Sequence, residues 1–453
     1  MDSRDCPFGI IVFTAPDPGN DDYHNAWREL LGLTARQCHY SRQVAITQRR
    51  WRAPAVLTCA LAVVLSAVLA GCNPSGPDGA AGGSRGGQSQ SGAAPASTPT
   101  TASAQQACVA QVYGRLTQAQ RVGQLFLVGL SANAAGPITT AALRQYHFGS
   151  LLLGMDSSAG VSALATATAR MQSLATPAIT GGAGFFIAAN QEGGQIQALT
   201  GPGFSDMPPA LIQGSWSVSM LRQQAAVWGG ELKAAGVNLD LAPVMDVVPP
   251  GTADTNAPIG KLEREFGFNP QTNGAHGAAF IAGMASAGVA TSAKHFPGLG
   301  RVTGNTDFTS NVVDTVTTPD DPYLDSFRAA IGAGVPFVMV ALATYTKIDP
   351  STLAVFSPVV MRLLRSQFGF GGVIISDDLG DAIAVSAIPA GERAIDFLDA
   401  GGDMITSQSL PPAETMASAV LSKAATDASF RAVVNAAVLR ILAAKAAYGL
   451  LPC

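Results

Sequence analysis

Charge is scarce in this 453-residue chain: Asp, Glu, Lys and Arg make up 13% against 47% apolar residues, and the net charge is −4. No run of Lys or Arg lies outside the N-terminal region, so there is no concentrated basic surface to draw a phosphate backbone. Nucleic acid is excluded as a partner. Cysteine is also sparse, and no pair has metal-ligand spacing, so no metal site is expected. No Gly-rich phosphate fingerprint opens a helix after the first strand-like segment, which argues against a bound nucleotide. No organic cofactor is implied. What the chain has instead is a large apolar fraction and 49 glycines, the composition of a big buried core joined by short turns. At this length a single barrel domain fits as well as two smaller domains.

The N-terminal region carries an export signature. Arg49, Arg50 and Arg52 precede an apolar run from Ala53 to Val68 that ends in Leu69-Ala70-Gly71-Cys72. A basic segment, a short apolar core and small residues before a cut describe a secretory signal, and the run is short for a span of about 20 residues. The Leu-Ala-Gly-Cys ending resembles a lipobox, which implies lipidation of Cys72 and anchoring to the outer face of the cell membrane, facing the cell wall. Residues 1–43 do not read as part of such a signal, and translation is expected to begin near Val44, giving a signal over 44–72. Residues 73–106 are Gly, Ser, Ala, Pro, Thr and Gln without apolar periodicity, a flexible tether with a span of roughly 30 Å. The folded domain is expected over 107–453. Cys108 and Cys453 bracket it, and in an oxidising compartment they are expected to form a disulfide.

Within the domain, short apolar strands alternate with Ala/Leu-rich helices, the pattern of a parallel sheet with helices outside. Strands are expected at 150–153, 185–189, 238–241, 290–293, 336–341, 373–376 and 404–406, with room for an eighth unit; helices include 220–235, 272–287, 323–332, 358–367 and 430–448. Strand ends carry polar clusters: Asn190-Gln191-Glu192-Gly193-Gly194, Ala242-Pro243-Val244-Met245-Asp246, Lys294-His295-Phe296-Pro297-Gly298-Leu299-Gly300 and Ser376-Asp377-Asp378. A (β/α)8 barrel gathers the C-terminal ends of its strands at one mouth, so these clusters would meet there.

In this order the clusters resemble family 3 glycoside hydrolases, in the bacterial β-N-acetylglucosaminidase branch. The resemblance covers roughly Leu116 to Leu450, with Arg264-Glu265-Phe266-Gly267 between the second and third clusters. Lys-His-Phe-Pro-Gly and Ser-Asp-Asp together, at this spacing, are specific; either alone is weak. The resemblance implies Asp377 as the nucleophile of a retaining glycosidase, with Asp378 in support. Strand alternation sends these two side chains to opposite faces, so only one is expected to face the sugar. It further implies substrate binding by Lys294, His295, Arg264, Glu192 and Asn190, with Asp246 serving either substrate or structure. Phe296-Pro297 is expected to be a cis bond. The implied activity is removal of terminal N-acetylglucosamine from cell-wall fragments; a tethered single barrel is expected to act as a monomer.

Two departures stand out. The first loop begins with Asn190 where the branch carries Asp. The branch's acid/base histidine is replaced by the sequence Asn305-Thr306-Asp307, and of the histidines beyond the signal, His147 precedes the first strand read above and His276 lies mid-helix. Asp307 is therefore the candidate acid/base, with its pKa raised by burial. An anionic base repels a phosphate acceptor, which favours hydrolysis. The alternatives are a barrel that binds muropeptides without cleaving them and a β-glucosidase of the same family.

Overall fold

The computed structural model describes residues 101–130, 136–154 and 156–453. The leader, the signal with Cys72 and the tether up to residue 100 lie outside the described residues. Residues 101–106, read from composition as tether, are instead the first turns of a helix, Thr101–Arg115. That helix packs against the last one, Ala428–Ala447, which supplies the tertiary contact that composition cannot reveal.

Eight parallel strands close a barrel in sequential order: β1 Phe126–Leu130, β2 Ser150–Leu153, β3 Phe186–Ala189, β4 Leu239–Asp240, β5 Ala290–Phe296, β6 Phe337–Val340, β7 Val373–Asp378 and β8 Met404–Ser407, with β8 pairing back onto β1. Nearly every barrel-strand residue is buried, because helices cover the outside while side chains fill the interior; that is why the strands are continuous apolar runs and not alternating ones. The eighth unit is β1, at the start of the domain. His147 therefore follows the first strand, at the left-handed end of the helix Pro137–Tyr146, with Nδ1 2.9 Å from the Ile179 carbonyl. The helix expected over 358–367 is α-helical only over Pro358–Arg362 and continues as a π-helix over Leu363–Gln367.

The two ends of the barrel differ in kind. At the N-terminal end, Asp403 accepts hydrogen bonds from Arg365, Arg440 and the Ile374 N–H. Lys445, fully buried in the last helix, donates to Gln124 Oε1 and the Gly149 carbonyl, each at 2.7 Å. Cys108 and Cys453 are joined by a disulfide with Cα atoms 5.8 Å apart, and Leu450 accepts from the Gly184 N–H just before β3. These contacts hold the two ends of the described domain, not of the whole chain, at this face. The chemistry-bearing side chains lie at the other end.

Candidate active site

Two irregularities in the barrel ladder position the polar residues. The β5–β6 register shifts between Ala293 and Phe296, across Lys294 and His295, and the β7–β8 register shifts between Ile375 and Asp378, across Asp377. Such bulges interrupt strict alternation and re-aim side chains. As a result Asp377 and Asp378 both line the mouth, contrary to the alternation expected of a regular strand. They differ in engagement. Asp378 is buried and accepts from the backbone N–H groups of Gly380, Asp381 and Gln408 at 2.9–3.1 Å, yet burial outweighs these donors and pushes its carboxyl up to about 6. Asp377 is half-buried, and one of its oxygens accepts from the Asp378 N–H at 2.8 Å.

The cleft has a volume of about 260 Å³, near the lower limit of the roughly 300–1,000 Å³ usual for small-molecule sites, and so suits one compact unit. Asn190, Glu192, Arg264, Lys294, His295, Asp307 and Asp377 all contribute to its wall. Four of these, Asn190, Glu192, Arg264 and Lys294, share one hydrogen-bonded network. Glu192 is buried, with Oε1 2.6 Å from Lys294 Nζ and Oε2 2.7 Å from Arg264 Nε. Burial alone would raise its carboxyl, but the two cations hold it at about 2. The same pairing drives the Arg264 guanidinium up despite burial, so its charge is locked. Glu192 thus anchors the two cations that face the cleft. Asn190 Oδ1 accepts from Lys294 Nζ at 2.9 Å, which leaves its second lone pair and its amide N–H2 for a sugar hydroxyl.

Asp246, expected to serve either substrate or structure, does not line the cleft. It is fully buried behind the cleft: Oδ1 accepts from the backbone N–H of His295 at 3.0 Å and of Leu299 at 2.9 Å, while Oδ2 faces His295 Nδ1 at 2.7 Å. Its role is to orient the imidazole and tie the following loop. That loop lies close against the segment after β4 that carries Asp246, since a Cβ at Gly300 would fall 2.0 Å from the Val247 carbonyl oxygen. Asn256 links it to the Arg264 segment, donating to the Leu299 and Val302 carbonyls and accepting from Ile259 and Gly260. The peptide bonds Lys294-His295, Phe296-Pro297 and Ala242-Pro243 are all cis.

The segment 305–308 completes the mouth. Its turn is held by the Asn305 side chain, which accepts from the Asp307 N–H at 3.0 Å, and by the Phe308 N–H donating to the Asn305 carbonyl at 3.1 Å. It docks on the loop after β7: the Ile383 and Ala384 N–H groups donate to the Asp307 and Thr306 carbonyls at 3.1 and 3.0 Å. The loop bearing Asp307 is thereby fastened to the segment that follows Asp377. Burial raises the Asp307 carboxyl above its usual range and the charge of Asp377 raises it further, against His295, Arg264 and Lys294. Sequence reasoning missed Phe308 and Gln408 in this wall. Gln408 directly follows β8, a position the barrel topology alone marks as facing the mouth.

An eight-stranded parallel barrel with a nearby carboxylate pair and a cationic wall at the C-terminal mouth defines the class of barrel enzymes that work on small polar substrates. The chain belongs to glycosyl hydrolase family 3: the profile of that family's N-terminal domain matches residues 117–444. It is similar to the structure of a β-N-acetylhexosaminidase from Beutenbergia cavernae, with 47% identity and a TM-score of 0.71, covering 73% of this chain and 98% of that one. It is also similar to a family 3 β-N-acetylglucosaminidase from Paenibacillus, with 26% identity and a TM-score of 0.65, covering 74% of this chain and 63% of that one. A curated β-hexosaminidase from Stenotrophomonas maltophilia is 34% identical over 230 residues, 48% of this chain. The matched stretch spans 65% of that relative's length.

Proposed function

We propose that this chain is a retaining, exo-acting β-N-acetylhexosaminidase that removes terminal N-acetylglucosamine from cell-wall peptidoglycan fragments. The observation that carries the reading is the placement of Asp377 and Asp307 in one single-sugar cleft, with Asp307 raised by burial and by Asp377's charge. A carboxyl raised by its surroundings is suited to act as the acid, which leaves the other as the nucleophile. Asp377 attacks the anomeric carbon as the glycosidic carbon–oxygen bond breaks, and Asp307 gives its proton to the departing oxygen. Water then attacks the same carbon, returns a proton to Asp307 and releases Asp377. Arg264, Lys294, His295 and the Asn190 amide hold the sugar hydroxyls and the acetamido group. The kinship with β-hexosaminidases supports the choice of sugar.

The chain acts as a monomer in this reading, and the lipidated Cys72 holds it to the outer face of the membrane. Cys72→Ser tests the anchor: the protein moves from the membrane fraction to the soluble one if the lipid is what retains it.

Hydrolysis of an aryl β-N-acetylglucosaminide tests the activity. Asp377→Asn abolishes turnover, and Asp307→Asn slows it by about a hundredfold or more, with azide restoring rate and yielding the β-glycosyl azide. Turnover of the aryl glucoside in preference would make the chain a β-glucosidase. Saturable muropeptide binding without turnover of either substrate would make it a receptor.

A further inference from the structure

Phe308 is out of place for a phenylalanine in this chain. It is 79% exposed, and no other phenylalanine, tyrosine or tryptophan among the described residues is classed as exposed. An exposed aromatic ring leaves a large apolar area in water, and burying it against a partner is favourable. A single exposed ring on a random surface asks for no account. This one directly follows Asp307 and lines the cleft. Its backbone is fixed by the same turn that fixes Asp307, through the Phe308 N–H to Asn305 carbonyl bond and the Asn305 side chain on the Asp307 N–H. The turn in turn is clamped to Ile383 and Ala384, so the ring's base and the acid's base form one rigid piece.

The geometry points to Phe308 as the platform for the leaving group, the ring that carries the sugar being cut away. We propose that it stacks on the apolar C–H face of a pyranose bound outside the single-sugar cleft. This rests on the reading of Asp307 as the acid. An acid that protonates the glycosidic oxygen sits at the junction between the retained sugar and the departing one. The cleft of about 260 Å³ holds the retained unit, so the departing unit lies at the rim, where Phe308 stands. The inner wall is charged by Glu192, Arg264, Lys294 and Asp377, and reads hydroxyls; a bare aromatic at the rim reads the shape and apolar face of a ring with little regard for its substituents. The site would thus be strict about the sugar it removes and tolerant about what that sugar is attached to, provided the attached group is a ring.

The test compares substrates that share the retained sugar. Kinetics are measured for the full chain, Phe308→Ala and Phe308→Trp on the β-1,4-linked disaccharide of N-acetylglucosamine and on N-acetyl-β-glucosaminyl fluoride, whose leaving group has no ring to stack. Phe308→Ala is expected to lose about tenfold more kcat/KM on the disaccharide than on the fluoride, and Phe308→Trp to retain most of the disaccharide rate. Equal losses on both substrates, or no loss on either, would overturn the platform. If the wild-type chain turns over neither, the hydrolase reading has failed separately, and the platform is read by calorimetry. Tighter binding of the disaccharide than of the monosaccharide, lost in Phe308→Ala, supports it; equal affinities in the wild type overturn it.

Discussion

Asp246 grips His295 from both ends, taking its backbone N–H on Oδ1 at 3.0 Å and facing Nδ1 with Oδ2 at 2.7 Å. The pairing makes Nδ1 the protonated ring nitrogen and leaves Nε2 for the cleft, an arrangement in which a hidden carboxylate selects the tautomer of a working imidazole. Asp246→Asn places an amide N–H2 against Nδ1 and inverts that choice. The expected result is a drop in kcat/KM of about a hundredfold with the fold retained, together with a change in the imidazole nitrogen chemical shifts by NMR. Unchanged shifts and rate would show that Asp246 only ties the loop through the Leu299 N–H.

The pH profile reports Asp307. A general acid works while protonated, so activity is lost as pH rises through its raised pKa. The kcat/KM profile on an aryl glycoside should therefore carry an alkaline limb above the ordinary carboxylate range, absent from Asp307→Asn. A limb that persists in Asp307→Asn would belong to Asp378, which burial pushes up to about 6.

Glu192 links the site to stability. Its carboxyl is held at about 2 in the fold against an ordinary value of 4.5, so its contribution is fully present above about 4.5 and is lost as pH falls toward 2. At about 1.4 kcal/mol per pH unit, this amounts to roughly 3 kcal/mol at most. Glu192→Gln should lower the melting temperature at neutral pH, because it strands Arg264 and Lys294 as buried unpaired cations. It should also flatten the decline in melting temperature between pH 4.5 and 2 seen by calorimetry in the wild type. A variant whose acid decline matches the wild type would place that transition elsewhere.

The Cys108–Cys453 disulfide closes a loop of 345 residues at the face away from the cleft. Cross-linking so long a loop restricts the unfolded chain, and its loss costs about 2–4 kcal/mol. Cys453→Ser is expected to melt several degrees lower while retaining glycosidase kinetics. An unaltered melting temperature would mean that the ends are held by helix packing alone.

Much of this protein was legible in its residues. Seven of the barrel strands could be placed because a strand buried on both faces is a continuous apolar run, bounded by glycine and polar residues. Strand β1 escaped because Phe126–Leu130 follows the helix Gln118–Gln124 with a single residue between them, and an apolar run adjoining a helix has no period of its own. The polar clusters at strand ends marked Asp377, Lys294 and His295 as available groups, while Arg264 and Asp307 were singled out only by the resemblance to family 3.

Tertiary structure decided where each of them stands and what it touches. Whether a carboxylate serves substrate or support depends on what lies within about 3 Å, and those neighbours come from remote parts of the chain: Glu192 is 72 residues from Arg264, and Asp246 is 49 from His295. The ladder shifts beside Asp377 and Lys294 broke the alternation on which face assignments rest. Nothing in the sequence marks Phe308; only the fold leaves its ring exposed. Local sequence determines which elements form and which groups are available; only the closed barrel sets the distances that turn one aspartate into a cleft carboxylate and hide another behind a histidine.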